Sequence, residues 1–281
     1  MQKEWIYADK INVSVIISFY NKIEYLKLAL AGFEIQSMKD FEIIIADDGS
    51  SKEVAEAVDK LADDFPLPVK HIWQEDNGFR KNRILNKAII EAASDYLIFI
   101  DGDCVPHSRF VEEHLRHKEN RAALTGRRVN LSHRITAELS EEKVKNRFLE
   151  MKFGKIIIDG IFGDSYDVEK GFYVKSEFLR NKLNKKKRGL LGCNMSMNKA
   201  DLLAVNGFDE RYKAPSIGED SDLQYRLELN GVEIKSLNNI AVQYHLHHKL
   251  LPRKEENLIL FEKVKASAKA RTDFGIEKTE R

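Results

Sequence analysis

Asp101-Gly102-Asp103 places two carboxylates one residue apart around a glycine, directly after the apolar run Tyr96-Leu97-Ile98-Phe99-Ile100. Paired carboxylates are hard-oxygen ligands suited to Mg²⁺ or Mn²⁺, and Gly102 lets the backbone turn closely. A metal held there bridges the two phosphates of a nucleoside diphosphate and stabilises the charge that develops on that leaving group. A D-x-D tripeptide recurs by chance about once in a chain of this size. Its place at the end of an apolar strand is what gives it weight.

Four other groups have comparable chemistry. Asp47-Asp48-Gly49-Ser50-Ser51 follows the apolar run Phe41–Ala46. A turn and a helix N-cap explain Gly49 and a serine. They do not explain two acids packed at a buried strand end, where a carboxylate can accept from the N3–H of a uracil ring. Gly78-Phe79-Arg80-Lys81-Asn82-Arg83 sets three cations at a helix start, where they oppose the macrodipole. A nearby diphosphate removes that penalty, with Arg80 and Arg83 as the forked partners. Gly218-Glu219-Asp220-Ser221-Asp222 opens a helical run, Leu223–Leu229. Acids there are ordinary capping residues, and one can also act as general base toward an acceptor hydroxyl. Tyr244-His245-Leu246-His247-His248 gathers three of the eight histidines. One imidazole can complete a coordination sphere begun by Asp103; the alternative is a solvated cluster at a strand end. On a strand, His245 and His247 share one face and His248 takes the other.

The elements that must position these groups alternate. Val13–Phe19, Phe41–Ala46, Val69–Trp73 and Tyr96–Ile100 read as strands. Helical spacing fills 22–36, Glu53–Asp63 and Asn82–Ala93. Regular alternation predicts an α/β fold with a doubly wound, mostly parallel sheet flanked by helices. Ligands of such sheets bind beyond the carboxyl ends of the strands, where Ser18, Tyr20, Asp48 and Asp101 stand. After Phe110 the alternation stops. Residues 132–190 form a charged excursion, read as a lid or acceptor-contacting element, with helical stretches near Glu138–Phe153 and a glycine-containing segment over Gly154–Gly171. A second organised block runs from Gly189 to His248. The predicted organisation is a domain over 1–250 and a helical tail with a frayed end over 251–281.

The 281 residues suffice for a core without disulfides. A formal net charge of +1 gives no global field favouring nucleic acid. Cys104 and Cys193 lack C-x-x-C spacing and are expected as reduced thiols in a cytoplasmic protein. The start, MQKEWIYADK, has no apolar signal core, and no apolar run is long enough to span a bilayer. The basic run Lys182, Lys185, Lys186, Lys187 and Arg188 allows peripheral membrane association.

In order along the chain, these motifs resemble the family 2 glycosyltransferases of GT-A fold. Val13–Asn21, Ile45–Ser51 and Asp101–Asp103 carry the first half. Gly192-Cys193-Asn194-Met195-Ser196, Gly207-Phe208-Asp209-Glu210, Gly218-Glu219-Asp220 and the histidines carry the second, which is similar to the chondroitin-polymerase-like and galactosyltransferase branches. The resemblance spans about residues 11–250. It implies an inverting, in-line displacement, with a nucleotide-diphosphate sugar, most simply a UDP-sugar, as donor and a glycan or glycoconjugate hydroxyl as acceptor. It assigns Ser18 and Asp48 to the uridine, Asp101 to ribose and metal, and Asp103 to direct metal ligation. Asp220 becomes the base, Glu219 an acceptor contact, and His245 the further metal ligand, with His247 and His248 as alternates. The sequence departs from the family at Ile217, where relatives often carry Trp, and no family motif is assigned over 132–190.

Two other readings fit less well. A nucleotidyltransferase would be expected to carry a glycine-rich basic loop after its first strand, whereas Ser18-Phe19-Tyr20-Asn21 has no glycine. A non-catalytic nucleotide-sugar-binding paralogue would not need Glu219, Asp220 and the histidines together.

Overall fold

A computed structural model describes residues 11–183, 189–215, 219–249 and 254–278. The basic residues Lys185–Arg188, the Ile217 departure and the first ten residues lie outside that set. Four strands, β1 (Val13–Phe19), β2 (Phe41–Asp47), β3 (Val69–Trp73) and β4 (Tyr96–Asp101), alternate with α1 (Ile23–Glu34), α2 (Lys52–Asp64) and α3 (Lys81–Glu91). All four pair in parallel in the order β3-β2-β1-β4. The apolar runs are continuous because both faces are covered. Val13, Val15 and Ile17 of β1 pack with α1 and α2, while Ile16 packs with α3 on the other side. The register sets Ser18 beside Ala46 and Asp101. The polar strand ends therefore meet at one edge.

The chain continues through β5 (Cys104–Pro106), α4 (Phe110–Arg116), β6 (Ala122–Thr125) and β7 (Arg127–Asn130). Next come α5 (His133–Glu138), α6 (Glu141–Lys145), α7 (Phe148–Met151), α8 (Phe153–Phe162), a 3₁₀ turn (Val168–Gly171) and α9 (Glu177–Leu183). The excursion is helical, and the stretches expected near Glu138–Phe153 are α6 and α7, separated where Arg147 takes φ of +55°. The glycine-containing segment is itself helical as far as Phe162, because Ile156 is buried and Gly160 leaves room for Val168, which a Cβ would meet at 2.7 Å. The outward face of α8 is apolar: Ile158, Ile161 and Phe162 are 57, 66 and 84% exposed.

The second block supplies β8 (Asn194–Asn198), α10 (Lys199–Ala204), α11 (Glu219–Leu229), β9 (Glu233–Ser236) and β10 (Val242–His245). β8 joins β4 and β6 antiparallel and completes a seven-stranded sheet, β3-β2-β1-β4-β8-β6-β9. β10 lies between β5 and β7 in a separate three-stranded sheet. No helix among the described residues is long and apolar enough to cross a membrane. α12 (Glu255–Ser267) is the terminal helix. The described residues beyond it, as far as 278, are tied to the body: Asn206 Nδ2 donates to Thr272 O at 2.8 Å and Thr272 Oγ1 to Asp209 Oδ2 at 2.7 Å.

α11 is fixed by a fully buried ion pair. Arg226 meets Asp222 at 2.6 Å and donates to the carbonyls of Val205 and Gly207 at 2.9 Å each. Removing one partner of such a pair strands the other charge and costs about 3–5 kcal/mol. Arg226→Met is expected to lower unfolding stability by that amount in chemical denaturation.

Candidate active site

A cavity of about 1020 Å³ opens beyond the carboxyl ends of β1, β2 and β4. Its walls include Ser18, Tyr20, Asp48, Asp101, Gly102 and Asp103 from the first half of the chain, and Glu219, Asp220, His245 and His248 from the second.

The two acids after β2 divide the work. Asp47 is fully buried and braces the turn, accepting from Ser50 N at 2.8 Å, with His71 Nε2 at 3.2 Å. Gly49 is required there: φ is +93° and a Cβ would lie 2.5 Å from Asp76 Cα. Asp48 turns to the cavity, accepting from Arg80 N at 2.8 Å and Gln74 Nε2 at 2.7 Å. Burial pushes its carboxyl up despite those bonds, and each oxygen keeps a free lone pair for a ligand donor. Tyr20, half exposed, bonds Asp76 Oδ2 at 3.1 Å across the same mouth.

Lys81, rather than Arg80 or Arg83, is the cation of this helix start that lines the cavity. The Arg80 guanidinium donates to the neighbouring Phe79 carbonyl at 2.9 Å, and Arg83 is exposed. Lys81 Nζ donates to Asp101 Oδ1 at 2.9 Å and Glu219 Oε1 at 3.1 Å. Burial opposes its charge, but the two carboxylates hold its pKa well above the ordinary lysine value. Side-chain type alone favours the forked Arg80 and Arg83; the helix phase turns Lys81 inward instead.

Asp101 also accepts from Ser18 Oγ at 2.5 Å, and Gly102 N donates to Ser18 O at 2.8 Å. A Cβ on Gly102 would stand 3.1 Å from that same carbonyl. The turn delivers Asp103 to the second sheet, where Cys104 pairs with His245 and Leu246 N donates to Asp103 O at 2.9 Å. Because β10 ends at His245, strict alternation stops there and His248 comes back to the same side. His248 Nε2 lies 2.9 Å from Asp103 Oδ2 and 3.2 Å from His245 Nε2. Ligand atoms of Asp103, His245 and His248 fall within 4.8 Å of one another. His247 is exposed and packs against the His133 ring.

This donor set, two imidazoles and a carboxylate, fits a divalent first-row ion. Burial lowers the pKa of His245 to about 4, so its imidazole is neutral at physiological pH. Burial works against the Asp103 carboxylate, but the His248 hydrogen bond and the surrounding positive charges hold its pKa well below the usual range. The hydrogen bond to Asp103 raises the pKa of His248.

Glu219 and Asp220 stand in the first turn of α11. Burial pushes both carboxyls up. Glu219 Oε2 is buried and finds no hydrogen-bond partner among the described residues. Asp220 accepts from Gly192 N at 3.4 Å and Ser221 N at 2.8 Å. The Gly207–Glu210 block lies behind α11. Phe208 stacks edge-on with Phe99, and Asn86 bonds both Phe208 N and Phe208 O.

A model of glycosyl transferase family 2 matches residues 14–197. The chain belongs to glycosyl transferase family 2. A second model, described as the N-terminal domain of galactosyltransferase, matches residues 172–249. Among characterised members of family 2, chondroitin synthase of Escherichia coli is 26% identical over 83% of this chain and 34% of its own length. Chondroitin synthase of Pasteurella multocida is 27% identical over 84% of this chain and 25% of its own. This chain therefore spans about a third or less of those relatives. Two solved structures share the GT-A fold. One is S. aureus TarS 1–349 in complex with UDP (TM-score 0.55, 18% identity, 92% of this chain and 65% of that one). The other is a mannosyltransferase from Pyrobaculum calidifontis in complex with GDP-Man and Mn²⁺ (0.54, 14%, 92% and 69%).

A divalent ion held by the triad would need a neutral His248 imidazole, so Mn²⁺ affinity is expected to rise as pH rises through and above the ordinary histidine range, the direction set by the upward shift of His248. Calorimetry in buffers of different ionisation enthalpy should show proton release that disappears in His248→Ala and persists in His247→Ala.

Proposed function

We propose that this family 2 glycosyltransferase moves a sugar from a nucleotide-diphosphate donor, most simply a UDP-sugar, to a hydroxyl of a glycan or glycoconjugate, with inversion and a divalent metal. The observation that carries the reading is the convergence of Asp48, Asp101, Asp103, Asp220 and the His245–His248 pair on one cavity. Asp48 and Ser18 line the end suited to a uracil and its ribose. Asp103, His245 and His248 would hold the ion, Mn²⁺ or Mg²⁺, which supplies charge stabilisation to the departing diphosphate. The chain's own residues do the rest. Lys81 holds Asp101 and Glu219 on either side of its ammonium, at 2.9 and 3.1 Å. Asp220, with its carboxyl raised by burial, takes the proton from the acceptor hydroxyl as that oxygen attacks the anomeric carbon. Glu219 offers its unpartnered oxygen to an acceptor hydroxyl.

The relatives named for chondroitin synthesis and the UDP-bound neighbour support a hexosyl or N-acetylhexosaminyl donor and a role in polysaccharide assembly. The free thiols of Cys104 and Cys193 suit a reducing, cytoplasmic setting. The outward apolar side chains of α8 speak for peripheral contact with a membrane.

Nucleotide release and transfer test the reading, with Mn²⁺ and a panel of UDP- and GDP-sugars. Asp220→Asn is expected to keep donor binding within about twofold while transfer falls by about 10²–10⁴-fold. Transfer at the wild-type rate would overturn the base assignment. Asp103→Ala is expected to remove metal-dependent donor binding, read as loss of the thermal shift given by UDP with Mn²⁺.

A further inference from the structure

A buried guanidinium stays charged and needs acceptors for five N–H donors. Neighbouring arginines of the interior have them. Arg226 is paired with Asp222, Arg211 with Asp209 at 2.6 Å, and Arg127 donates to the carbonyls of Gly126 and Gly189 at 2.9 and 2.8 Å. Arg128, the next residue on β7, is different. It lines the active-site cavity, mostly shielded from solvent. Among the described residues it has no carboxylate at ion-pair distance. Its Nη1 donates to Cys193 Sγ at 3.5 Å, a sulfur that Gln243 Nε2 also approaches at 3.2 Å. Thiol sulfur is a weak acceptor. A partly desolvated cation held this way is unfavourable by itself.

Its position sharpens the point. The charge of Arg128 bears on both Asp103 and His245, so it stands beside the Asp103–His245–His248 triad. A guanidinium and a divalent ion sharing one wall repel each other unless an anion lies between them. We propose that Arg128 is an oxyanion-binding residue of the cavity, presenting its guanidinium fork to a phosphate or carboxylate beside the triad. Two sources have that chemistry: the donor's diphosphate, and an acidic group carried on the sugar substrate. Only the choice between them rests on the nucleotide-sugar reading above.

Calorimetry with Mn²⁺ present, on wild type, Arg128→Met and Arg128→Lys, separates the outcomes. The probes are inorganic pyrophosphate, UDP and UMP, then a uronate-terminated disaccharide and its carboxyl-reduced counterpart in the presence of UDP. If the donor supplies the anion, Arg128→Met weakens pyrophosphate and UDP by about 10- to 100-fold, the range of a charge-assisted hydrogen bond, and leaves UMP unchanged. If the sugar supplies it, UDP is unchanged and the preference for the uronate over its reduced form disappears. Arg128→Lys keeps charge without the fork and should weaken the same probe several-fold, which covers a methionine variant that does not fold. Wild-type affinity of a folded variant for every probe overturns the proposal, as does a wild type that binds none of them. A wild type that binds pyrophosphate but no nucleotide leaves Arg128 standing and removes the nucleotide-sugar reading.

Discussion

The ammonium of Lys81 lies between a carboxylate of the central sheet and a carboxylate of α11, within hydrogen-bonding distance of both. Without it, the carboxyl groups of Asp101 and Glu219 would share a low-dielectric pocket with no cation between them. With it, two acids from distant parts of the chain share one ammonium and the first turn of α11 is drawn onto the end of β4. The two halves of the cavity, one from each part of the chain, are thus one electrostatic unit. The same contact accounts for a cation at a helix start, where the macrodipole disfavours it.

Around that unit the chain uses neighbouring residues of one type for opposite ends. Asp47 faces inward and fastens a turn, while Asp48 faces the cavity. Asp222 is consumed by Arg226 and Tyr212 at the back of α11, while Asp220 at the front stays available. The frame takes the acid that can be fully paired. The cavity keeps the one whose remaining lone pairs a ligand can fill.

Much of this was legible in the chain itself. Strands buried on both faces announce themselves as unbroken apolar runs, so β1 to β4 and their polar ends could be read directly, as could the order of the acidic motifs. What escaped depended on three-dimensional closure. Lys81 was passed over because chemical type, not helix phase, guided the choice among three cations. Arg128 sits in a short strand with no motif around it. His248 was put on the far side from His245 by extending a strand past its real end. The glycine-containing segment showed no helical signal of its own: Gly160 marks the close approach of α8 to Val168 in the 3₁₀ turn.

The pairing of β5 with β10 has a bearing on how the molecule comes to exist. Asp103 emerges well before its imidazole partners, and the strands that bring them together are among the shortest in the fold. Three or four residues of ladder cannot hold such distant segments until the sheets on either side are in place. A half-folded chain therefore presents Asp103 without its companions. A ligand held by the closed triad would add its binding energy to the completed fold alone, clasping together segments that the ladder by itself joins only weakly.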